Sequence, residues 1–433
     1  MHALRTQRIG WYTIDWANSA FSTSVITVFL GPYLTSVAQS MAIDNVISPF
    51  GIDMHVGSWF SFCISMSVLA QVLVLPIVGA LVDHTHHKRM MLGVTTAMGA
   101  SATMGLFACT PELGNYILGG ALFIAANICF GASVVVANAF LNDIASLEER
   151  DAVSSRGWAL GYLGGAVLLA IHLVWYTAAP GSVTVRSILL SVGLWWALWT
   201  VVPLILLRDP SPGQREPSVA LRTPFVQAWT TFRQAMRSPH TARFMIAYIA
   251  FNEAVQTVIS QASVFGSIEL GLGLDVLTQA ILLVQVVAIG GSLGFAELAR
   301  RTTTKVALTA SLIGWVMVIL ASFFWVQSAT QFLILAGCIA LVLGGTQALS
   351  RSLFSTMIPA GREAEYFAFY ELSDKGTSWI GPLLFGIALS LTQSYRWAIL
   401  SLLVMLVIGI LVLVRVDTKK AVAESQRPFE PAC

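Results

Sequence analysis

Asp15-Trp16-Ala17-Asn18-Ser19-Ala20-Phe21-Ser22 has a chemical counterpart 238 residues later, Glu253-Ala254-Val255-Gln256-Thr257-Val258-Ile259-Ser260. Acid matches acid (Asp15, Glu253), amide matches amide (Asn18, Gln256), and hydroxyl matches hydroxyl twice (Ser19, Thr257 and Ser22, Ser260). The spacing i, i+3, i+4, i+7 places each set on one helical face. Both stretches lie inside long apolar runs, where an unpartnered polar group is costly, so these faces should point at one another or at water. The pair predicts a chain built from two similar halves.

Two further pairings agree. Asn138-Ala139-Phe140 resembles Gln347-Ala348-Leu349, and Arg186 with Leu190-Ser191 resembles Arg396 with Leu400-Ser401. Composition sets the solvent in which the halves must fold. Of 433 residues, 56% are apolar and 11% charged, at a mean hydropathy of +0.76. A soluble domain carries about 25% charged residues, so a water-soluble fold is excluded. Intrinsic disorder needs high charge and nucleic-acid binding needs a basic surface, and a net charge of +2 supplies neither. Five scattered cysteines imply no disulfide framework and no metal site.

A membrane-spanning helix takes roughly 20 residues. Counted at that length, the apolar runs predict spans at 11–37, 56–82, 90–109, 116–142, 157–178, 186–207, 243–268, 275–298, 306–327, 331–357, 366–391 and 396–415. The fold class is therefore all-α and integral to the membrane, with twelve spans in two parallel six-helix repeats. The first apolar run holds Asp15 and no small-residue cleavage site, so it reads as a retained span. The halves are expected at 1–207 and 243–416, joined by a proline-rich linker at 208–242 and followed by a tail at 417–433. With both termini on one side, 21 of the 24 basic residues collect there, which predicts cytoplasmic termini in a cell membrane.

Gly79-Ala80-Leu81-Val82-Asp83-His84-Thr85-His86-His87-Lys88-Arg89 resembles the glycine, aspartate and basic-cluster signature of the major facilitator superfamily between spans two and three. In the second half, Ala296 to Lys305 is a degenerate counterpart with Arg300 where an acid is usual. Asp15 to Phe21, Asn252 to Thr257, Gly344-Gly345-Thr346-Gln347-Ala348-Leu349-Ser350-Arg351-Ser352, and Tyr370 through Lys375 to Gly381-Pro382 are similar to the bacterial permeases related to the fungal vacuolar amino-acid effluxer. That resemblance implies a transporter. It also implies a cytoplasmic gate at Asp83, Lys88, Arg89 and Arg351.

Within the spans the polar residues define the candidate site. Asn18, Ser22, Asn138, Gln256 and Gln347 are expected to line a cavity, since amides offer both donors and acceptors to a polar solute. Asp15, Glu253, Glu371, Asp374 and Lys375 are the intramembrane charges, as proton-coupling groups or charge pairs; Glu371 and Lys375 stand at i, i+4. Gly157, Gly161, Gly164 and Gly165 in span five should permit close helix approach.

The expected function is secondary active transport of a small polar solute, amino acid or peptide-like, by alternating access with proton coupling. Amphipathic drugs or lysolipids are the alternative cargo, and a non-transporting solute sensor the alternative class. The expected partners are the small-molecule substrate, protons and the lipid bilayer, with the chain acting as a monomer. No cofactor or metal is expected. The sequence contains no GxxxxGK[ST] phosphate loop and no HExxH, so neither a nucleotide-driven pump nor an enzyme is expected.

Overall fold

The computed structural model describes residues 2–85, 87–209, 233, 235–375 and 380–426, and nearly all of them are helical. Among these residues ten helices are long and apolar enough to cross a membrane. They are span one Leu4–Gln39, two Val56–Asp83, three Lys88–Ala108, four Tyr116–Ile144, five Arg150–Ala178, six Val183–Leu206, eight Val276–Arg301, nine Thr304–Phe324, ten Ala329–Ser355 and twelve Tyr395–Val414. Of the other two expected spans, the seventh is present in a more polar form, and the described residues of the eleventh give two shorter helices, the second of them apolar. Span seven is the helix Pro239–Val264 with a π-helical extension, Phe265–Glu269, and span eleven is the pair Glu363–Lys375 and Ile380–Thr392. Asn252, Glu253 and Gln256 lower the hydropathy of span seven, and Glu363, Glu365, Glu371 and Asp374 that of the first helix of span eleven.

Several boundaries differ from the sequence expectation. Span five begins at Arg150 rather than 157, and span seven at Pro239, inside the expected linker. A helix that projects past the hydrocarbon can carry polar residues in its end turns, and proline fits the first turn, where its missing N–H is not needed. Of the linker, residues 210–232 lie outside the described residues. The tail carries a helix of its own, Thr418–Ser425, whose first turn is capped by Asp417 accepting from Lys420 N at 3.1 Å. Between spans one and two, Val46–Ile47 pairs antiparallel with Met54–His55 in a short hairpin.

Each half has its own core. Phe21, Phe123, Trp59 and Trp196 centre one, and Phe244, Phe251, Trp315 and Phe354 the other. The duplication shows in side-chain roles as well. Arg396, at the start of span twelve, donates to the carbonyls of Ser322, Phe323 and Val326 at the end of span nine, at 2.6 to 3.0 Å. Arg186, at the start of span six, reaches Phe107 O at the end of span three and stacks on its ring. In both halves an arginine thus binds the carbonyls that a helix end leaves without intrahelical partners.

The halves touch along span five, which packs on spans eight and ten, and again at the end of the bundle that carries the termini. There Glu363–Lys375 of span eleven keeps Tyr366, Phe367 and Tyr370 in the second half's core and packs, through Ala364 and Ala368, into an apolar cluster formed with spans one to five. The approach is backbone to backbone: a Cβ on Gly79 would lie 2.7 Å from Ala364 O and 2.9 Å from Glu365 Cα. Gly79→Ala should therefore lower the melting temperature of the purified protein, with an overpacking cost of about 1–3 kcal/mol. Gly290→Ala, whose Cβ would meet open space, should not lower it; equal melting shifts would refute the close approach.

Candidate functional site

The inter-half contacts begin at the end of span two. Asp83 is buried, and its carboxylate accepts from the N–H groups of Ala364 at 3.1 Å and Glu365 at 2.9 Å. These are unsatisfied donors of a helix start, where a negative charge is favoured. Lys88 is fully buried beside it. Its ammonium donates to Ala139 O at 2.8 Å and Asp143 at 2.7 Å, and lies 3.7 Å from Glu363. Arg89 departs from the gate expected of it: its side chain is exposed, and its backbone N–H alone is engaged, donating to Asp209. At the start of span three, the 100° step between neighbouring residues turns Arg89 outward when Lys88 faces in.

The second half's counterpart lacks the acid. Arg300 and Arg301 pair with Glu297 on an exposed surface and do not cross to the other half. The crossing bonds come from other residues. Arg150 donates to Ser355 O at 2.6 Å, at the carbonyl end of span ten, and Thr304 donates to Asp151 at 2.6 Å. Nearby, Glu149, in the turn between spans four and five, accepts from Arg8, which holds its carboxyl below the usual carboxylate range.

Deeper in, one cation ties both halves together. Arg351 of span ten is 4% exposed and forms an ion pair at 3.1 Å with Asp15 of span one. Its remaining donors reach Ser154 Oγ at 2.9 Å, Ser154 O at 2.8 Å and Asn138 Oδ1 at 3.4 Å. The rings of Trp11 and Trp158 lie 4.7 and 5.2 Å from the guanidinium. Gly157 makes the room, since a Cβ there would lie 2.5 Å from Asp15 Oδ2. Asn138 continues the chain of bonds by donating to Glu371 at 3.3 Å. Ser154 donates to Ala348 O, Tyr162 donates to Gln347 Oε1, and Gln285 donates to Thr23 at 3.1 Å, all between the halves.

The other expected site residues are placed differently. Asn18 is buried within the first half, donating to Ser133 and accepting from Trp196 Nε1 at 2.6 Å, so its amide fastens spans one, four and six and does not line a cavity. Ser22 is half-buried and bonds its own helix at Ser19 O. Gln256 is half-buried, and its amide has no hydrogen-bond partner among the described residues. Glu253 is 1% exposed and accepts from Gly381 N at 3.2 Å, at the start of Ile380–Thr392. Asp374 accepts from Asn252 Nδ2 at 2.6 Å. The side chain of Lys375, and with it the expected pair with Glu371, lies outside the described residues, as does His86.

Sequence reasoning missed Ser154, Tyr162, Arg150 and the two tryptophans around Arg351. Ser154 and Arg150 do carry a signal, a polar first turn on a helix that continues into an apolar run. Among the described residues no group of three His, Cys, Asp or Glu side chains is placed to hold a metal ion.

This bundle of two six-helix halves, closed at one end by buried cross-half bonds, is that of a major facilitator transporter. It superposes on the Escherichia coli fucose:proton symporter FucP with a TM-score of 0.71 at 12% identity, covering 96% of this chain and 99% of that one. The proton:xylose symporter XylE gives 0.71 at 12% identity, covering 95% of each chain. The particular family follows from sequence: the vacuole effluxer Atg22-like family matches residues 3–426, and the chain belongs to it. An uncharacterised MFS-type transporter of Bacillus subtilis, YxiO, is 28% identical over 99% of this chain and 98% of its own. Autophagy-related protein 22 of Saccharomyces cerevisiae is 25% identical over 96% of this chain and 92% of its own.

Arg351→Ala strands the Asp15 carboxylate and should destabilise the closed end by about 3–5 kcal/mol. Combining it with Asp15→Asn should recover at least about 1 kcal/mol of that loss, measured by thermal unfolding of the four proteins in the cycle. Strict additivity would show that the pair is not coupled.

Proposed function

We propose that this secondary transporter moves a small polar solute, amino acid or peptide-like, by alternating access, coupled to protons. The observation that carries the reading is the buried chain Asp15–Arg351–Asn138–Glu371, which joins the halves next to amide groups still open to a ligand. Gln256 and the amide nitrogen of Gln347 have no partner among the described residues, and each can donate to a solute carboxylate or carbonyl. Rocking the halves apart at the closed end requires breaking the bonds of Arg351, Asp83 and Arg150 together. A solute that binds both halves can offset that loss only by interacting more favourably with the opened state.

Proton coupling is supported by the balance of charge. Asp15, Glu253, Glu371 and Asp374 are four carboxyls set against two cations, Arg351 and Lys375, on spans one, seven, ten and eleven. Keeping every one of them ionised at that depth is expensive, and a bound proton reduces the cost. Glu253 is the proposed coupling group because it is buried near mid-span and accepts from Gly381 N, so its charge state bears on the backbone of span eleven. Cytoplasmic termini in a cell membrane rest on the bias of basic residues toward the closed end.

In proteoliposomes with an imposed pH gradient, Glu253→Gln should cut concentrative flux by about tenfold or more while leaving solute exchange intact. Unchanged concentrative flux would remove Glu253 from coupling. A thermal-shift screen over amino acids, dipeptides, sugars and lysolipids identifies the cargo, because a ligand at a hundred times its Kd stabilises by about 2.7 kcal/mol. Shifts confined to lysolipids would overturn the polar-solute reading.

A further inference from the structure

The connection between spans one and two, residues 40–55, is an ordered hairpin with two unlike ends. Its base is fastened to the first half: Ile47, Pro49 and Val56 are buried, Val56 N donates to Asn45 O at 2.9 Å, and Gln39 donates to Asn45 at 3.1 Å. Its tip is apolar and uncovered, with Phe50 77% and Ile52 59% exposed, and Ile43 at 79% beside the strands.

Backbone conformation singles out Phe50. Four residues of this connection have positive φ: Asp44 (51°), Asn45 (62°), Phe50 (57°) and Gly51 (80°). Asp, Asn and Gly are the usual occupants of that region, and an aromatic residue is not. A strained backbone carrying an exposed ring is unfavourable for the fold and for solubility alike. Such a residue calls for a role outside the packed bundle.

The surroundings supply the partner. The connection leaves span one at Gln39 and enters span two at Val56, so both of its ends lie at the membrane boundary opposite the termini. Exposed aromatics mark that boundary elsewhere: Trp175 near the end of span five, Phe324 and Trp325 at the end of span nine, and Trp397 at the start of span twelve. Aromatic side chains collect at the level of the lipid headgroups. Phe50 is four residues beyond Val46, within roughly 13 Å along a strand, so the tip can lie on the bilayer surface beside its own spans.

We propose that this hairpin is a lipid anchor, with Phe50 and Ile52 seated at the headgroup–acyl boundary of the leaflet opposite the termini. The occupant of this surface is the bilayer. The anchor fixes the height of the outer ends of those spans in the membrane.

Photo-crosslinking of the full chain in proteoliposomes tests this. Phe50→p-benzoylphenylalanine should yield phospholipid adducts by mass spectrometry several-fold above those from the same substitution at exposed Asp53. Equal yields at the two positions, or adducts at position 50 confined to protein, would overturn the anchor. Phe50→Gly in detergent gives a second readout. Glycine adopts this φ freely, so the melting temperature should hold or rise; a clear fall would show that the ring packs on the protein and would also sink the proposal.

Discussion

A guanidinium buried between two halves of a membrane protein is the constraint on which the closed arrangement depends. Taking an arginine out of water costs several kcal/mol unless its charge is balanced and its donors are filled. Here Asp15 balances the charge, while Ser154 and Asn138 take the remaining donors and two indole rings cover the planar faces. A lysine could not replace it, since a point-charge ammonium lacks the fork that reaches three side chains at once. Because Asp15, Asn138 and Ser154 belong to the first half and Arg351 to the second, the satisfied state exists only while the halves are together. Separation leaves an acid and a base that must find water or other partners, which favours two discrete states over a continuum.

Span eleven links this lock to the far side of the second half. Its first segment, Glu363–Lys375, starts on Asp83 of the first half, and its second, Ile380–Thr392, starts on Glu253 of the second. A carboxylate therefore stands at the beginning of each segment, one from each half. Span seven holds the same region a second time through Asn252 and Asp374. On the proposed coupling, neutralising Glu253 weakens its bond to the Gly381 N–H, in the very span whose first turn is latched by Asp83. The two events then share one mechanical element, and no longer route through the bundle is needed.

How much of this was legible in the sequence depends on the kind of signal. Span count and duplication were open to reading, because long apolar runs and a four-residue polar match at one offset are local patterns. Asp83 was legible through its motif. Partners were not, because periodicity identifies a helical face and leaves open which helix will cross it. Thus Asn18 and Gln256, paired by sequence, separate in role: the first is bonded inside its half, the second is left open. Arg351 was legible as a basic residue near the cytoplasmic mouth, yet its burial follows from Gly157 on span five, five helices away in the chain. Arg89 shows the reverse error, a motif residue whose neighbour fills the place expected of it.

Spans one and seven also share a departure from regular helix that their polar faces make intelligible. Phe21–Phe29 is π-helical, as is Phe265–Glu269, and the shared offset carries residues 265–267 onto 27–29. Within the first stretch Thr27 donates to Ser22 O, five residues back, at 2.8 Å. A wider turn slips the register of every side chain beyond it, so a polar stripe set by i, i+3, i+4, i+7 cannot continue along the same face. In span one the stripe from Asp15 to Ser22 ends where the slip begins. The outer part of the span then presents Phe29, Leu30, Tyr33 and Leu34 to the first half's core. The same chain can thus aim Asp15 at Arg351 of the other half at one depth and an apolar face at its own core at another. A strictly regular helix of this sequence would have to compromise between the two, and that explains why the irregularity recurs where the halves match.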